Sequence, residues 1–269
     1  MNFARKMMVR PGSKVKLGEF DPDDTLGYKD DKKTQTKQAK LLKRLDDLQY
    51  LFYALKKRAL LIVLQGIDTG GKDGTIRHVM SGVSPQGCRV TSFKSPTPDE
   101  LAHDFLWRIH AAVPEKGDFG IFNRSHYEDV LVVRVHKLVP KKVWKARYDE
   151  INHFEKLLAE NRVDIVKFFL HISKDEQKKR LEARLTDPQK SWKISAADFA
   201  ERKYWDDYTN AYEDVLSRCS TESAPWFIIP ANHKWFRNFA VSKILVETLE
   251  GFDMQLPRPS LDLSKLDLR

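Results

Sequence analysis

Cysteine is nearly absent from this chain. Cys88 and Cys219 are the two it has. They show neither the paired spacing of a zinc site nor the clustering of a disulfide framework, so a reducing, cytoplasmic setting is expected. No apolar run is long enough to cross a bilayer, and no membrane partner is expected. The opening stretch MNFARKMMVRPGSKVK is basic but lacks the apolar centre of a secretory signal. Without such a signal, Asn123-Arg124-Ser125 fits the glycosylation acceptor pattern only by coincidence. Internal repeats and low-complexity linkers are missing, as is any RNP, KH-loop or zinc-finger pattern. Acid is the minority charge: 38 Asp and Glu against 47 Lys and Arg leave +9 over 269 residues. The partner should therefore be an anion; nucleic acid, polyphosphate and nucleotides all fit the charge, and it is the missing recognition patterns that make nucleic acid the unexpected one.

What is present concentrates between Leu60 and Thr75, LLIVLQGIDTGGKDGT. The apolar run Leu60–Leu64 reads as a buried parallel strand, followed by a glycine-rich turn and a helix. That order is a phosphate cradle. Gly66, Thr69, Gly70, Gly71, Gly74 and Thr75 let backbone amides converge on phosphate oxygens. The helix N-terminus and Lys72 add positive charge. Gly66, Gly71 and Lys72 fall in the register G-x-x-x-x-G-K-[ST], but Asp73 replaces the Ser/Thr that normally binds Mg²⁺. Asp68 lies inside the loop, where a carboxylate repels phosphate. A divalent cation bridging it to phosphate resolves the conflict; a turn or helix cap is the plainer alternative.

The chain is long enough for one large α/β domain with insertions. Residues before about 33 read as a polar arm, with turns at FDPDDT, Phe20–Thr25. Leucines and Phe52 recur at helical spacing over Lys33–Lys57. Its basic face (Lys37, Lys40, Lys43, Arg44) is either solvated or the wall of a polyanion groove. Strands are predicted at Arg89–Phe93, Phe119–Asn123, Ile165–Ile172 and Trp226–Pro230, with helices at Pro98–Ala112, Lys141–Asn161 and Trp235–Gly251. Such alternation implies a mostly parallel sheet covered by helices, with ligands at the carboxyl ends of its strands. A charged insertion before the last strand reads as two helices broken at Asp187-Pro188. Arg180, Arg184, Lys190 and Lys193 favour a lid over an ordinary helical hairpin.

The strand Phe119–Asn123 runs into FNRSHYEDVLVVRV. Asn123 holds the place where P-loop proteins usually carry an Mg²⁺-holding acid. Arg124 follows, and a guanidinium there can grip a phosphoryl group. Glu128 and Asp129 bind metal, orient an acceptor or cap a helix; Arg134 lies further on as a second phosphate candidate. His126 reads as structural or positioning. No nucleophile–base pair stands out, so acyl transfer is not expected.

Together these motifs closely resemble the polyphosphate kinase 2 family. The carriers are Gly66, Asp68, Gly71, Lys72 and Gly74; Phe122–Val135; the stretch Arg180–Lys193; and APWFIIPANHKWFRN, Ala224–Asn238. The resemblance implies a three-layer, thymidylate-kinase-like P-loop fold with a mostly parallel sheet. It implies a single kinase-like domain over 1–269, with an arm at about 1–32 and a helical lid at about 176–210. It also implies reversible phosphoryl transfer from inorganic polyphosphate to nucleoside mono- and diphosphates, dependent on Mg²⁺ (or Mn²⁺). Adenine or guanine nucleotides and a homodimer or homotetramer are the implied partners. By family match, Asp68 binds the metal, Lys72 binds phosphate, Arg124 lies beside the transferred group and Arg184 belongs to the lid. Arg77 joins Lys72 in holding the donor. Asn123, Glu128 and Asp129, where many members read FDRSWYNR, look like the class III subgroup, associated with both mono- and diphosphate acceptors. An ATP-dependent nucleotide kinase and a non-catalytic polyanion binder remain the alternatives.

Overall fold

The computed structural model describes residues 3–188, 191 and 196–257. Its sheet contains β1 (Ala59–Gln65), β2 (Cys88–Ser92), β3 (Phe119–Asn123), β4 (Val163–His171) and β5 (Trp226–Pro230). They lie in the order β2-β3-β1-β4-β5, all parallel. The central strand β1 is buried along its whole length, as expected for an unbroken apolar run in a parallel sheet. Alternate side chains enter opposite layers: Leu61 and Val63 join one core, Leu60, Ile62 and Leu64 the other. Each such large side chain contributes about 1.5–3 kcal/mol, so β1 ties both helical layers to one plane.

The helices are α1 (Lys32–Leu55), α2 (Lys72–Val79), α3 (Pro98–Leu101), α4 (Trp107–His110), α5 (Val132–Val135), α6 (Lys141–Glu160), α7 (Lys174–Thr186), α8 (Ala196–Glu201), α9 (Trp205–Arg218) and α10 (Lys234–Glu250). At the start of α1, Asp31 Oδ1 accepts the Thr34 amide at 2.8 Å. Its apolar stripe, Leu45, Leu48 and Phe52, packs in the same core as α10. The expected helix Pro98–Ala112 is instead two single turns, α3 and α4. Asp104 Oδ1 accepts the Leu106 amide at 2.9 Å between them, a local turn that competes with helix.

The arm is less detached than its polarity predicts. Phe3, Met7, Val9, Val15 and Leu17 are buried. The Val9 amide donates to Trp226 O at 2.8 Å, the Ile228 amide donates to Met7 O at 2.9 Å, and Met8 forms an antiparallel bridge with Phe227. The arm thus covers the β5 edge, which would otherwise be an open template for pairing. The Phe20–Thr25 stretch turns as its sequence suggests: Asp21 Oδ1 accepts the Asp23 amide and Asp24 Oδ1 the Leu26 amide, at 2.9 and 2.7 Å. No helix among the described residues is long and apolar enough to cross a membrane.

Candidate active site

The loop between β1 and α2 is shaped by what lies behind it. Gly66 passes so close to β4 that a Cβ would stand 2.9 Å from Leu170 O. Gly71 has φ 101°, and a Cβ there would run into Arg237 Nη1. Both features require glycine. Because Gly71 is the N-cap of α2, no side chain caps the first amides of that helix, and they face the rim as an anion site. Thr69 is left-handed at φ 67°. Its Oγ1 is buried with no hydrogen-bond partner among the described residues. Lys72 is buried, and its Nζ donates to Gly66 O at 2.6 Å. Burial first, then the nearby Arg124 charge, lowers the Lys72 pKa. Thr75 Oγ1 donates to Gly71 O at 3.0 Å and closes the first helical turn.

The end of β3 supplies the opposite wall. Arg124 is left-handed at φ 62°, an unusual conformation for a residue with a Cβ. Its Nη2 reaches Asp68 Oδ1 at 2.7 Å, and Nη1 lies 3.9 Å from Glu128 Oε2. Burial opposes the Arg124 charge, but Glu128 and Asp68 outweigh it and raise its pKa. Burial also raises the Glu128 pKa, against the pull of Arg124 and Lys72. Asn123 Nδ2 donates to Asp73 Oδ1 at 2.7 Å, joining the strand end to the loop position usually held by Ser/Thr. Asp68, Lys72, Asp73, Asn123, Arg124 and Glu128 therefore meet at one rim of the sheet.

A buried polar network lies directly after Arg124. Ser125 Oγ accepts from Gln65 Nε2 at 3.1 Å and from the Tyr127 amide at 3.2 Å. Glu155 receives Tyr127 OH at 2.8 Å and Lys167 Nζ at 2.5 Å, with His126 Nε2 at 3.1 Å. Lys167 Nζ also donates to Cys219 O at 2.7 Å. Burial works to raise the Glu155 pKa, but Lys167 and His126 outweigh it and hold the group ionised. His126 is fully buried in this network, so it faces the core and supports the turn.

The other sequence candidates divide. Arg180 is buried and bonded to the back of the loop. Its Nη1 donates to Thr69 O and Gly70 O at 2.9 and 3.2 Å, and its Nη2 to Ala231 O and Asn232 O at 2.5 and 2.9 Å. Glu176 Oε1 accepts from its Nε at 2.7 Å. Arg180 is therefore a clamp between loop and sheet end rather than an exposed lid cation. Arg184 lies in the last turn of α7, and Arg77 is exposed in the last turn of α2. Lys190 and Lys193 lie outside the described residues.

Two candidates are not brought to the loop. Arg134 Nη1 donates to Asp214 Oδ2 at 2.6 Å and to Tyr148 OH at 3.1 Å, and the guanidinium lies 4.7 Å from the Trp144 ring. The single turn of α5 aims it at α6 and α9 instead. Asp129 pairs with Arg147 Nη1 at 3.1 Å, and burial raises its pKa to about 6. The structure also adds residues that sequence reasoning missed. Trp205, Tyr208 and Tyr212 of α9 share one cleft with Asp68, Arg124 and Glu128. Arg237 of α10 lies against the loop; it falls inside the stretch Ala224–Asn238 that carries the family resemblance, but that resemblance assigns it no role.

Known proteins share this arrangement over nearly their full length. A relative from Meiothermus ruber, an AMP/ADP-polyphosphate phosphotransferase, is 52% identical over 97% of this chain and 98% of its own. An ADP-polyphosphate phosphotransferase from Rhodopseudomonas palustris is 46% identical over 94% of this chain and 92% of its own. The crystal structure of polyphosphate kinase 2 from Arthrobacter aurescens superposes with a TM-score of 0.93 at 44% identity, covering 98% of this chain and 94% of that one. The model of the family described as Polyphosphate kinase 2 (PPK2) matches residues 28–257. That span takes in the glycine loop, the Arg124 turn and α10, so the fold and the rim chemistry come together in one conclusion: the chain belongs to the polyphosphate kinase 2 family.

Proposed function

We propose that the protein transfers phosphoryl groups from inorganic polyphosphate to AMP and ADP, giving ADP and ATP. One observation carries the reading at the level of residues. An uncapped helix N-terminus, a buried lysine and an arginine–carboxylate pair converge on one rim. The two relatives' names supply the donor and the acceptors. In the reaction, an oxygen of the acceptor's terminal phosphate bonds to the end phosphorus of the chain. The bond from that phosphorus to its bridging oxygen breaks, and the chain leaves one unit shorter. The acceptor oxygen is already anionic, so no general base is needed, and catalysis is positioning plus charge stabilisation.

Lys72 and the first amides of α2 hold the terminal phosphoryl group, with the orphaned Thr69 hydroxyl available as a further donor. Lys72 Nζ exchanges Gly66 O for a phosphate oxygen. Arg124 stabilises charge on the moving group, held in place by Asp68 and Glu128. Arg77, Arg184 and Lys193 extend positive charge along the donor or the insertion. The aromatic side chains of α9 wall the acceptor side.

Asp68 is the residue that would hold Mg²⁺ (or Mn²⁺). Among the described residues there is no cluster of three or more potential ligands. One or two carboxylates completed by phosphate and water suit Mg²⁺, so the donor set fits. When bound, the cation neutralises phosphate charge beside a carboxylate that otherwise repels it. Asn123 then acts as a hydrogen-bond donor to Asp73. We read residues 1–269 as one kinase domain with the insertion at about 176–210 as its lid. Guanine nucleotides as further acceptors, a homodimer or homotetramer, and a cytoplasmic setting complete the proposal.

The test mixes pure protein, Mg²⁺ and long-chain polyphosphate with AMP, and separates the nucleotides over time. Polyphosphate-dependent ADP followed by ATP is the expected result. ATP serving as donor while polyphosphate does not would overturn it.

A further inference from the structure

Arg237 is 3% exposed. Among the described residues, its guanidinium hydrogen-bonds only to Asn238 Oδ1, through Nε at 3.2 Å and Nη2 at 2.8 Å. Its Nη1 fills the space that a side chain at Gly71 would need, and Nη2 lies 3.3 Å from the Cβ position of Gly74. No carboxylate pairs with it among the described residues, whereas Arg180, which approaches the same glycine, has Glu176 and four carbonyl oxygens. Nη1 of Arg180 lies 3.7 Å from the same Cβ position of Gly71, so two buried guanidinium groups crowd the Cβ side of one glycine. Burial first, then the Arg180 charge, lowers the Arg237 pKa to about 10.

A buried cation without an anion is costly. On the apolar face of α10 a methionine of similar length would avoid that cost. The cost is offset if an anion arrives at the loop. We propose that Arg237 is a binding residue for the phosphate chain of the donor. Without a carboxylate partner among the described residues, it finds its counter-charge when phosphates occupy the cradle in front of Gly71 and Gly74. The inference rests on residues 66–75 being that cradle. It also assigns an energetic signature that a purely structural arginine lacks. The free protein carries the strain, and the ligand relieves it.

Inorganic tripolyphosphate, without nucleotide or metal, is the probe. Binding is followed by calorimetry, and thermal unfolding is recorded with and without it. Wild-type protein should bind and show a raised Tm. Arg237→Met should raise the Tm of the free protein, weaken tripolyphosphate about tenfold or more, and lose most of the ligand-induced shift. Arg237→Lys, which keeps the charge but not the fork, should fall between them and guards against a Met variant that misfolds. Lys72→Met separates the two layers of the argument. If it binds tripolyphosphate as wild type does, the cradle reading fails. If it loses binding while Arg237→Met and Arg237→Lys keep wild-type affinity, the role of Arg237 alone is overturned. A lowered Tm for free Arg237→Met with unchanged affinity would make Arg237 a packing residue and overturn the proposal.

Discussion

At the scale of single residues, the rim is a balance of opposite charges in contact, Arg124 against Asp68 and Glu128. Asp68→Ala leaves Arg124 without its 2.7 Å partner, and Lys72→Met removes the cation inside the cradle. Each should cut polyphosphate-dependent turnover by about 10²-fold or more, with near-native circular dichroism; near-wild-type kcat in either would remove that residue from the site. Asn123 matters for a different reason. Its amide donates to Asp73, a contact that an aspartate could make only with a proton or a cation between the two acids. Asp129 gives a pH dependence away from the loop. Its pKa is raised to about 6 by burial, so its contribution to stability is complete below the unfolded value near pH 4. That contribution, about 2–3 kcal/mol, is lost as pH rises through 6. Denaturant midpoints measured from pH 4 to 7 should show this loss in wild type and a flatter profile in Asp129→Asn.

At the scale of elements, β3 and the turn after it depend on the Glu155–Lys167 pair beneath them. Lys167→Met should destabilise by about 3–5 kcal/mol because it strands Glu155. Adding Glu155→Leu should recover much of the loss, and urea unfolding of both single variants and the double variant measures the coupling. Much of this layer could be read from sequence. β1 declared itself as an apolar run, and Gly66 to Lys72 could be placed because their chemistry is contiguous. Other parts depend on geometry that no local pattern carries. Pro98–Ala112 has helical composition, yet Asp104 turns the chain. Arg134 and Asp129 follow Arg124 closely, but the short turns after it aim them at α6. Arg237 meets Gly71 across most of the chain length, so its contact with the loop had no sequence signature.

At the scale of the molecule, the two sheet edges are treated differently. β2 leaves its outer side exposed, with Val90 on the surface, while the arm closes β5. Deleting residues 1–19 should lower Tm by several degrees, since it removes five buried apolar side chains. It should also raise light scattering on heating, because the β5 edge is uncovered. Unchanged scattering would mean that another element protects that edge.

The same arm has a consequence for synthesis. Phe3 stacks edge-on against Phe239, and the Ala4 amide donates to Glu247 Oε2 at 3.0 Å. Residues of the arm thus dock on α10, more than two hundred positions further along the chain. At about 5–20 residues per second, the arm waits on the order of 10–40 s outside the ribosome before β5 and α10 exist to receive it. The central strand β1 likewise emerges before either neighbour, β3 or β4. The nascent chain therefore carries Phe3, Met7 and the bare β1 in the open until β3, β4, β5 and α10 have followed, and only then can the sheet close.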